Sequence, residues 1–107
     1  MTTRTVVGAA ALVFVAAATA ALAADGAAVY SANCAKCHGD TGHADTPVGK
    51  ALKAPALAGD ANVAGVTQAD IAKKIKENPK HAAFSGKLSA EDLDAVAARV
   101  KELAAGK

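Results

Sequence analysis

Apolar residues recur at helical spacing near the end of the chain. Six of them repeat every three or four positions, the spacing of one helix face: Leu93, Val96, Ala97, Val100, Leu103 and Ala104. Ser89 precedes the run as a helix N-cap. Glu91 and Asp92 follow in the first turn, where the helix dipole favours acidic side chains. The pattern predicts a C-terminal amphipathic helix that buries one face.

A weaker pattern predicts a helix earlier in the chain. Thr67 is a suitable N-cap, and Ile71 and Ile75 form an apolar stripe one turn apart. Pro79 marks the end of this helix, because the residue before a proline disfavours helical backbone angles.

Glycines and prolines interrupt the periodic patterns elsewhere. Asp25 caps a short first helix that continues to about Asn33. Gly39 to Gly59 is predicted to be a loop, and Lys80 to Leu88 a second one. No segment shows the alternating or β-branched composition of a strand. The predicted fold class is therefore all-α, with three to four short helices.

The N-terminal segment has the composition of a secretory signal. Arg4 supplies positive charge, residues 6–20 are apolar, and Ala21-Leu22-Ala23 offers the small residues of a cleavage site. Cleavage after Ala23 divides the chain into a signal peptide, residues 1–23, and one domain, residues 24–107. A retained membrane anchor is the alternative, since the apolar stretch 6–24 spans 19 residues. Either way, the domain is expected to be periplasmic.

The strongest chemical signal is the pentapeptide Cys34-Ala35-Lys36-Cys37-His38, which holds both cysteines of the chain. In an exported protein, this spacing is typical of a c-type haem attachment site. In such a site, the thiols of Cys34 and Cys37 would add to the two vinyl groups of one haem, and His38 would become an axial ligand of its iron.

Three other interpretations of the cysteine pair remain open at this stage. A thioredoxin-like dithiol requires a βαβ context, for which the sequence gives no sign. A short-loop disulfide would leave the position of His38 unexplained. A zinc site completed by His43 and His81 would lack the regular spacing of structural zinc ligands.

Size and charge favour a small cofactor-stabilised domain. Residues 24–107 form too short a chain to bury a large core, and a covalent haem would compensate. They keep 11 of the 12 basic residues and all 10 acidic ones, a balance that excludes nucleic acid as a partner. Eight lysines cluster between positions 36 and 87 and form a candidate docking face for an acidic redox protein: Lys36, Lys50, Lys53, Lys73, Lys74, Lys76, Lys80 and Lys87.

The order of helices, haem motif and loops in residues 25–107 resembles a small bacterial monohaem cytochrome c of the mitochondrial-like type. Ala54-Pro55-Ala56-Leu57 is similar to a family segment in which a proline carbonyl accepts a hydrogen bond from the proximal histidine and a leucine packs on the haem. The resemblance implies that Pro55 orients His38 and that Leu57 contacts the ring.

The sequence departs from this family at two positions. Family members often carry a methionine as the sixth iron ligand shortly before the last helix, and His81 stands at that position here. The only methionine is Met1, so His81 is predicted to ligate the iron opposite His38. In the last helix, Arg99 stands where the family usually has an aromatic residue that packs against the first helix. Either the stem of Arg99 covers the same surface, or Tyr30 in the first helix supplies the aromatic contact from the other side.

Two histidine ligands would leave no iron position open for a substrate. The chain is therefore predicted to be a one-electron carrier rather than an enzyme, low-spin and of lowered potential, with protein donors and acceptors. A gas sensor or haem enzyme with a labile sixth ligand is one alternative. An electron-transfer subunit of a larger or polymeric complex is another.

Overall fold

The computed structural model describes residue 8 and residues 24–107, and the predicted signal peptide otherwise lies outside the described residues. The described part contains seven α-helices and one 3₁₀ helix: α1 (Gly26–Asn33), α2 (Ala35–His38), α3 (Pro47–Ala51), α4 (Ala61–Gly65), α5 (Gln68–Glu77), the 3₁₀ helix (Pro79–His81), α6 (Ala82–Ser85) and α7 (Ala90–Ala104). Residues 24–107 contain no strand, which confirms the all-α class. Within the described residues, no helix has the length and apolar character needed to cross a membrane.

The three longest helices begin at their predicted caps. The carboxylate of Asp25 accepts backbone N–H groups at the start of α1, and Thr67 Oγ1 does so for α5. Ser89 and Asp92 form a reciprocal capping box on α7, with N–H to oxygen distances of 3.0 and 3.2 Å. These side chains satisfy N–H groups that have no partner inside the helix.

The core lies along one face of α7, which packs against α1, α4 and α5. All six residues predicted for this face are buried: Leu93, Val96, Ala97, Val100, Leu103 and Ala104. Ile71 from α5 and Tyr30 from α1 complete the apolar cluster around them. The periodic spacing of the sequence therefore identified the main buried surface.

Helix α1 crosses α7 at Gly26. A side chain at this position would collide with the carbonyl oxygen of Ala95 and would meet the Cβ of Arg99. The Arg99 guanidinium turns outward to Glu102 Oε2, 3.1 Å away. Its stem covers the crossing while its charged head stays near the surface. Tyr30, only 1% exposed, supplies an aromatic ring on the α1 side.

The sequence interpretation missed five short helical segments, one of which is α2 within the haem pentapeptide. The predicted loop 39–59 contains α3, the predicted loop 80–88 contains the end of the 3₁₀ helix and all of α6, and α4 was not anticipated. Pro47 and Pro79 each occupy the first turn of such a segment, where the missing proline N–H costs nothing. Both prolines start a helical turn here, although they were interpreted mainly as helix breakers.

Candidate cofactor site

A cavity of about 410 Å³ lies between α2, the chain before α4, α5 and the 3₁₀ helix. All six residues singled out from the sequence line it: Cys34, Cys37, His38, Pro55, Leu57 and His81. The structure therefore brings together side chains that are separated by up to 47 positions, since 81 − 34 = 47.

Several further lining residues were not identified as site residues from the sequence. The apolar ones come from helices and loops on every side of the cavity: Leu52, Val63, Val66, Ile71, Ile75, Phe84 and Val100. The stripe of Ile71 and Ile75 was visible as a helix face, whereas α4, which carries Val63, had no clear sequence signal. Mostly apolar walls with a few polar groups are typical of a cofactor site.

His38 lies at the end of α2 and is held by the main chain. Its Nδ1 is 2.9 Å from the carbonyl oxygen of Pro55. A carbonyl can only accept, so Nδ1 carries the proton and Nε2 keeps a lone pair for a metal. Burial lowers the pKa of His38, the bond to Pro55 partly opposes this shift, and nearby His81 lowers it further. The ring is thus held in the neutral form that binds metals.

His81 has the same arrangement on the opposite side of the cavity. Its Nδ1 is 2.9 Å from the carbonyl oxygen of Ile75. The same reasoning places the proton on Nδ1 and the lone pair on Nε2. Phe84 packs against the ring, with 5.3 Å between the ring centroids. His81 is therefore fixed by a hydrogen bond and an aromatic contact.

The imidazole rings of His38 and His81 lie close to each other in the cavity. Their centroids are 6.4 Å apart, and their planes are inclined at 67°. A transition-metal ion lies about 2 Å from each imidazole nitrogen, and each nitrogen lies roughly 1 Å from its ring centroid, so a bridged pair is expected at about 6 Å. The observed separation is close to this value, and the spacing of the two cysteines beside His38 would suit the thioether links of a haem c.

The environment of the thiols does not suit a redox dithiol. Cys34 and Cys37 are not joined by a disulfide, and burial, with a smaller effect from Cys37, raises the pKa of Cys34 to about 11. Reactive dithiols need a lowered thiol pKa, so that the thiolate forms near neutral pH. The described residues also lack the strands of a βαβ unit. The thioredoxin-like interpretation therefore loses its support.

A zinc site finds no support either. Among the described residues, no three His, Cys, Asp or Glu side chains come together as a metal site. His43 is exposed and lies outside the cavity lining. Its Nδ1 is 2.7 Å from Thr41 Oγ1.

Hydrogen bonds from neighbouring elements hold the haem-motif helix α2. The buried Tyr30 hydroxyl donates to the carbonyl oxygen of Gly39 at 2.7 Å, and Thr46 Oγ1 donates to that of Lys36 at 2.6 Å. Burial is the main cause that raises the pKa of Tyr30, to about 12. Gly49 packs closely on Cys37, and a side chain at position 49 would collide with the carbonyl oxygen of Cys37. No motif in the sequence identified these supporting contacts in advance.

The family comparison agrees with this geometry. Residues 21–98 match the family model described as cytochrome C oxidase, cbb3-type, subunit III. No solved structure matches the chain. Domains of this kind carry haem and typically transfer electrons rather than catalyse a reaction. The matched region contains the Cys34–Cys37 pair and most of the domain, and the chain therefore belongs to this family of cytochrome c domains.

Proposed function

We propose that this protein is a one-electron carrier with a single haem c, attached through Cys34 and Cys37 and ligated by His38 and His81. The observation that carries the proposal is the pair of imidazoles in the cavity, with 6.4 Å between their centroids and each Nδ1 within hydrogen-bond distance of a backbone carbonyl. When bound, the haem supplies a Fe(III)/Fe(II) couple. The protein contributes the ligands, their orientation and apolar walls that limit the access of water.

Two nitrogen ligands support electron transfer rather than catalysis. With His38 and His81 both bound to the iron, a substrate could reach the metal only by displacing one of these side chains. A His/Met pair gives cytochromes a higher potential, which implies a lower one for His38 and His81. Redox titration of the wild type against His81→Met checks this point. The proposal predicts a higher potential for the variant, and a wild-type potential as positive as that of His/Met cytochromes would contradict it.

Carbon monoxide distinguishes a carrier from a gas sensor or a haem enzyme. We expect the reduced protein to bind CO slowly or not at all, because His81 must first dissociate. Fast binding at a rate proportional to CO concentration would identify a labile sixth position and favour the sensor or enzyme.

The electrostatics of the cavity support an acidic redox partner. Lys53, Lys74 and Lys80 are exposed and line the cavity, whereas the other five lysines of the predicted docking face lie outside the lining. Positive charge beside a cofactor attracts an acidic protein and accelerates its association. We therefore place the docking surface at the cavity rim, a narrower region than the sequence suggested.

The description of the matched family as an oxidase subunit favours a second arrangement, in which the domain passes electrons inside a larger complex. Gel filtration of natively purified protein tests it. Elution at the size of the single domain supports a diffusing carrier, and co-elution with an oxidase activity supports the subunit.

We also propose that residues 1–23 are a signal peptide cleaved after Ala23, which would place the domain in the periplasm. Intact mass analysis of the exported protein is the test. A mass equal to residues 24–107 plus one haem supports cleavage. The mass of the full chain plus haem, in the membrane fraction, would instead identify a retained anchor.

A further inference from the structure

The carbonyl that accepts a hydrogen bond from His81 belongs to Ile75, four positions before Pro79. We propose that Pro79 is a positioning residue for the distal histidine: it leaves the carbonyl of Ile75 unpaired in its own helix, so that this carbonyl can accept the Nδ1–H of His81. The inference rests on the proposed ligation of the iron by His81.

The hydrogen bonds at the end of α5 show where this carbonyl loses its helical partner. The N–H of Asn78 donates to the carbonyl of Lys74 at 3.1 Å, which is the last regular bond of the helix. The next bond would run from the N–H of residue 79 to the carbonyl of Ile75. Pro79 has no N–H, so the bond cannot form.

The turn after the helix brings His81 back to this carbonyl. Asn78 is extended, with ψ of 119°, as expected for a residue that precedes a proline. Its side-chain oxygen accepts the N–H of Lys80 at 3.0 Å, and its carbonyl accepts the N–H of His81 at 2.9 Å. The His81 ring then reaches back six positions to Ile75, with 2.9 Å between Nδ1 and the carbonyl oxygen.

This bond has a direct effect on a metal ligand. A carbonyl acceptor on Nδ1 sets the tautomer, fixes the ring orientation and increases the basicity of Nε2. An N–H at position 79 would compete for the same carbonyl. It would also let residue 78 adopt helical angles and draw the turn away from its present path. Pro79 therefore acts on His81 in two ways. It provides no N–H that could compete for the Ile75 carbonyl, and it keeps the turn after α5 in its present conformation.

Pro79→Ala in the haem-loaded protein tests the inference, with Pro47→Ala as the matched control. Pro47 also occupies the first turn of a short helix, but it lies outside the cavity lining. Two readouts are used, the rate at which CO displaces the distal ligand from the reduced haem and the reduction potential. When a metal-ligating side chain loses the hydrogen bond that holds it to the protein, metal binding typically weakens at least about tenfold.

We expect CO to bind Pro79→Ala about tenfold faster than wild type or Pro47→Ala. We also expect Pro79→Ala to have a higher reduction potential than wild type. If the affinity of His81 falls ten times more for Fe(III) than for Fe(II), the potential rises by about 59 mV. A Pro79→Ala protein that matches wild type in both readouts would overturn the inference. If Pro79→Ala does not fold, proton NMR of the reduced wild type decides: a slowly exchanging His81 Nδ1–H supports the inference, and a rapidly exchanging one contradicts it.

His81→Ala separates this inference from the proposed function. If that variant remains low-spin, the assignment of His81 as a ligand fails and the role of Pro79 fails with it. If it becomes high-spin while Pro79→Ala behaves as wild type, His81 remains the ligand and only the role of Pro79 is wrong.

Discussion

At the scale of single residues, both histidines of the cavity are oriented by main-chain carbonyls, those of Pro55 and Ile75. A carbonyl fixes the tautomer as a carboxylate would, but it adds no negative charge beside the proposed metal site. The position of each acceptor also depends on the backbone, so substitutions near Pro55 or Ile75 are expected to alter the ligands only when they move the chain.

Tyr30 is the clearest single-residue test of how the haem motif is supported. Tyr30→Phe removes the donor to the Gly39 carbonyl and leaves that carbonyl without its partner. We expect a loss of about 1–3 kcal/mol in unfolding free energy. Urea denaturation of the haem-loaded variant and wild type measures it, and equal stabilities would show that the hydrogen bond contributes nothing.

The pKa of Tyr30 gives a related pH dependence. Its pKa is raised from 10.0 to about 12 in the folded chain, mainly by burial. Above pH 10 the unfolded chain releases this proton first, so stability falls from about pH 10 to about pH 12. The unfolding free energy of Tyr30→Phe should not show this part of the decrease with pH. Identical alkaline profiles for the two proteins would contradict the expectation.

At the scale of elements, the long helices were predictable and the short ones were not. Helix α7 combines a capping box with a continuous apolar face, and both features are local in sequence. Helices α3 and α4 are only five residues long, too short for a periodic signal. Their caps, Thr46 and Asp60, resemble ordinary loop residues, so only packing around the cavity distinguishes these helices from loops.

The crossing of α1 and α7 provides a test at this scale. Gly26→Ala places a methyl group against the Ala95 carbonyl and forces the helices apart. Overpacking of this kind costs about 1–3 kcal/mol. Gly65→Ala is the matched control, because nothing lies within 4 Å of a methyl group there. We expect a lower melting temperature for Gly26→Ala only. Equal decreases in the melting temperature of both variants would show that the effect comes from replacing glycine with alanine in general, and not from the contact with Ala95.

At the scale of the whole molecule, the cavity is lined by segments that are far apart in the sequence. The haem motif was evident in the sequence because its residues are contiguous. The pairing of His38 with His81 was inferred from the resemblance and the lack of another methionine. The carbonyl of Ile75 could not be predicted, because its role depends on how the chain turns after α5.

Charge reversal at the cavity rim tests the docking surface. Lys53→Glu and Lys74→Glu should each lower the association rate with an acidic redox partner, because they remove attraction next to the cofactor. The dependence of the rate on ionic strength should also weaken. Lys87→Glu is the control, since this exposed lysine lies outside the lining. Stopped-flow kinetics measures the rates, and equal effects of all three variants would indicate a response to net charge only.

The proposed electron-transfer function depends most directly on His81 as the second ligand of the iron. The decisive measurement is the spin state of the ferric protein, by absorption and electron paramagnetic resonance, in wild type, His81→Ala and His43→Ala. His43 is a suitable control because it is exposed and does not line the cavity. We predict low-spin haem in wild type and His43→Ala, and high-spin haem in His81→Ala. A low-spin signal in His81→Ala, unchanged from wild type, would contradict the central claim.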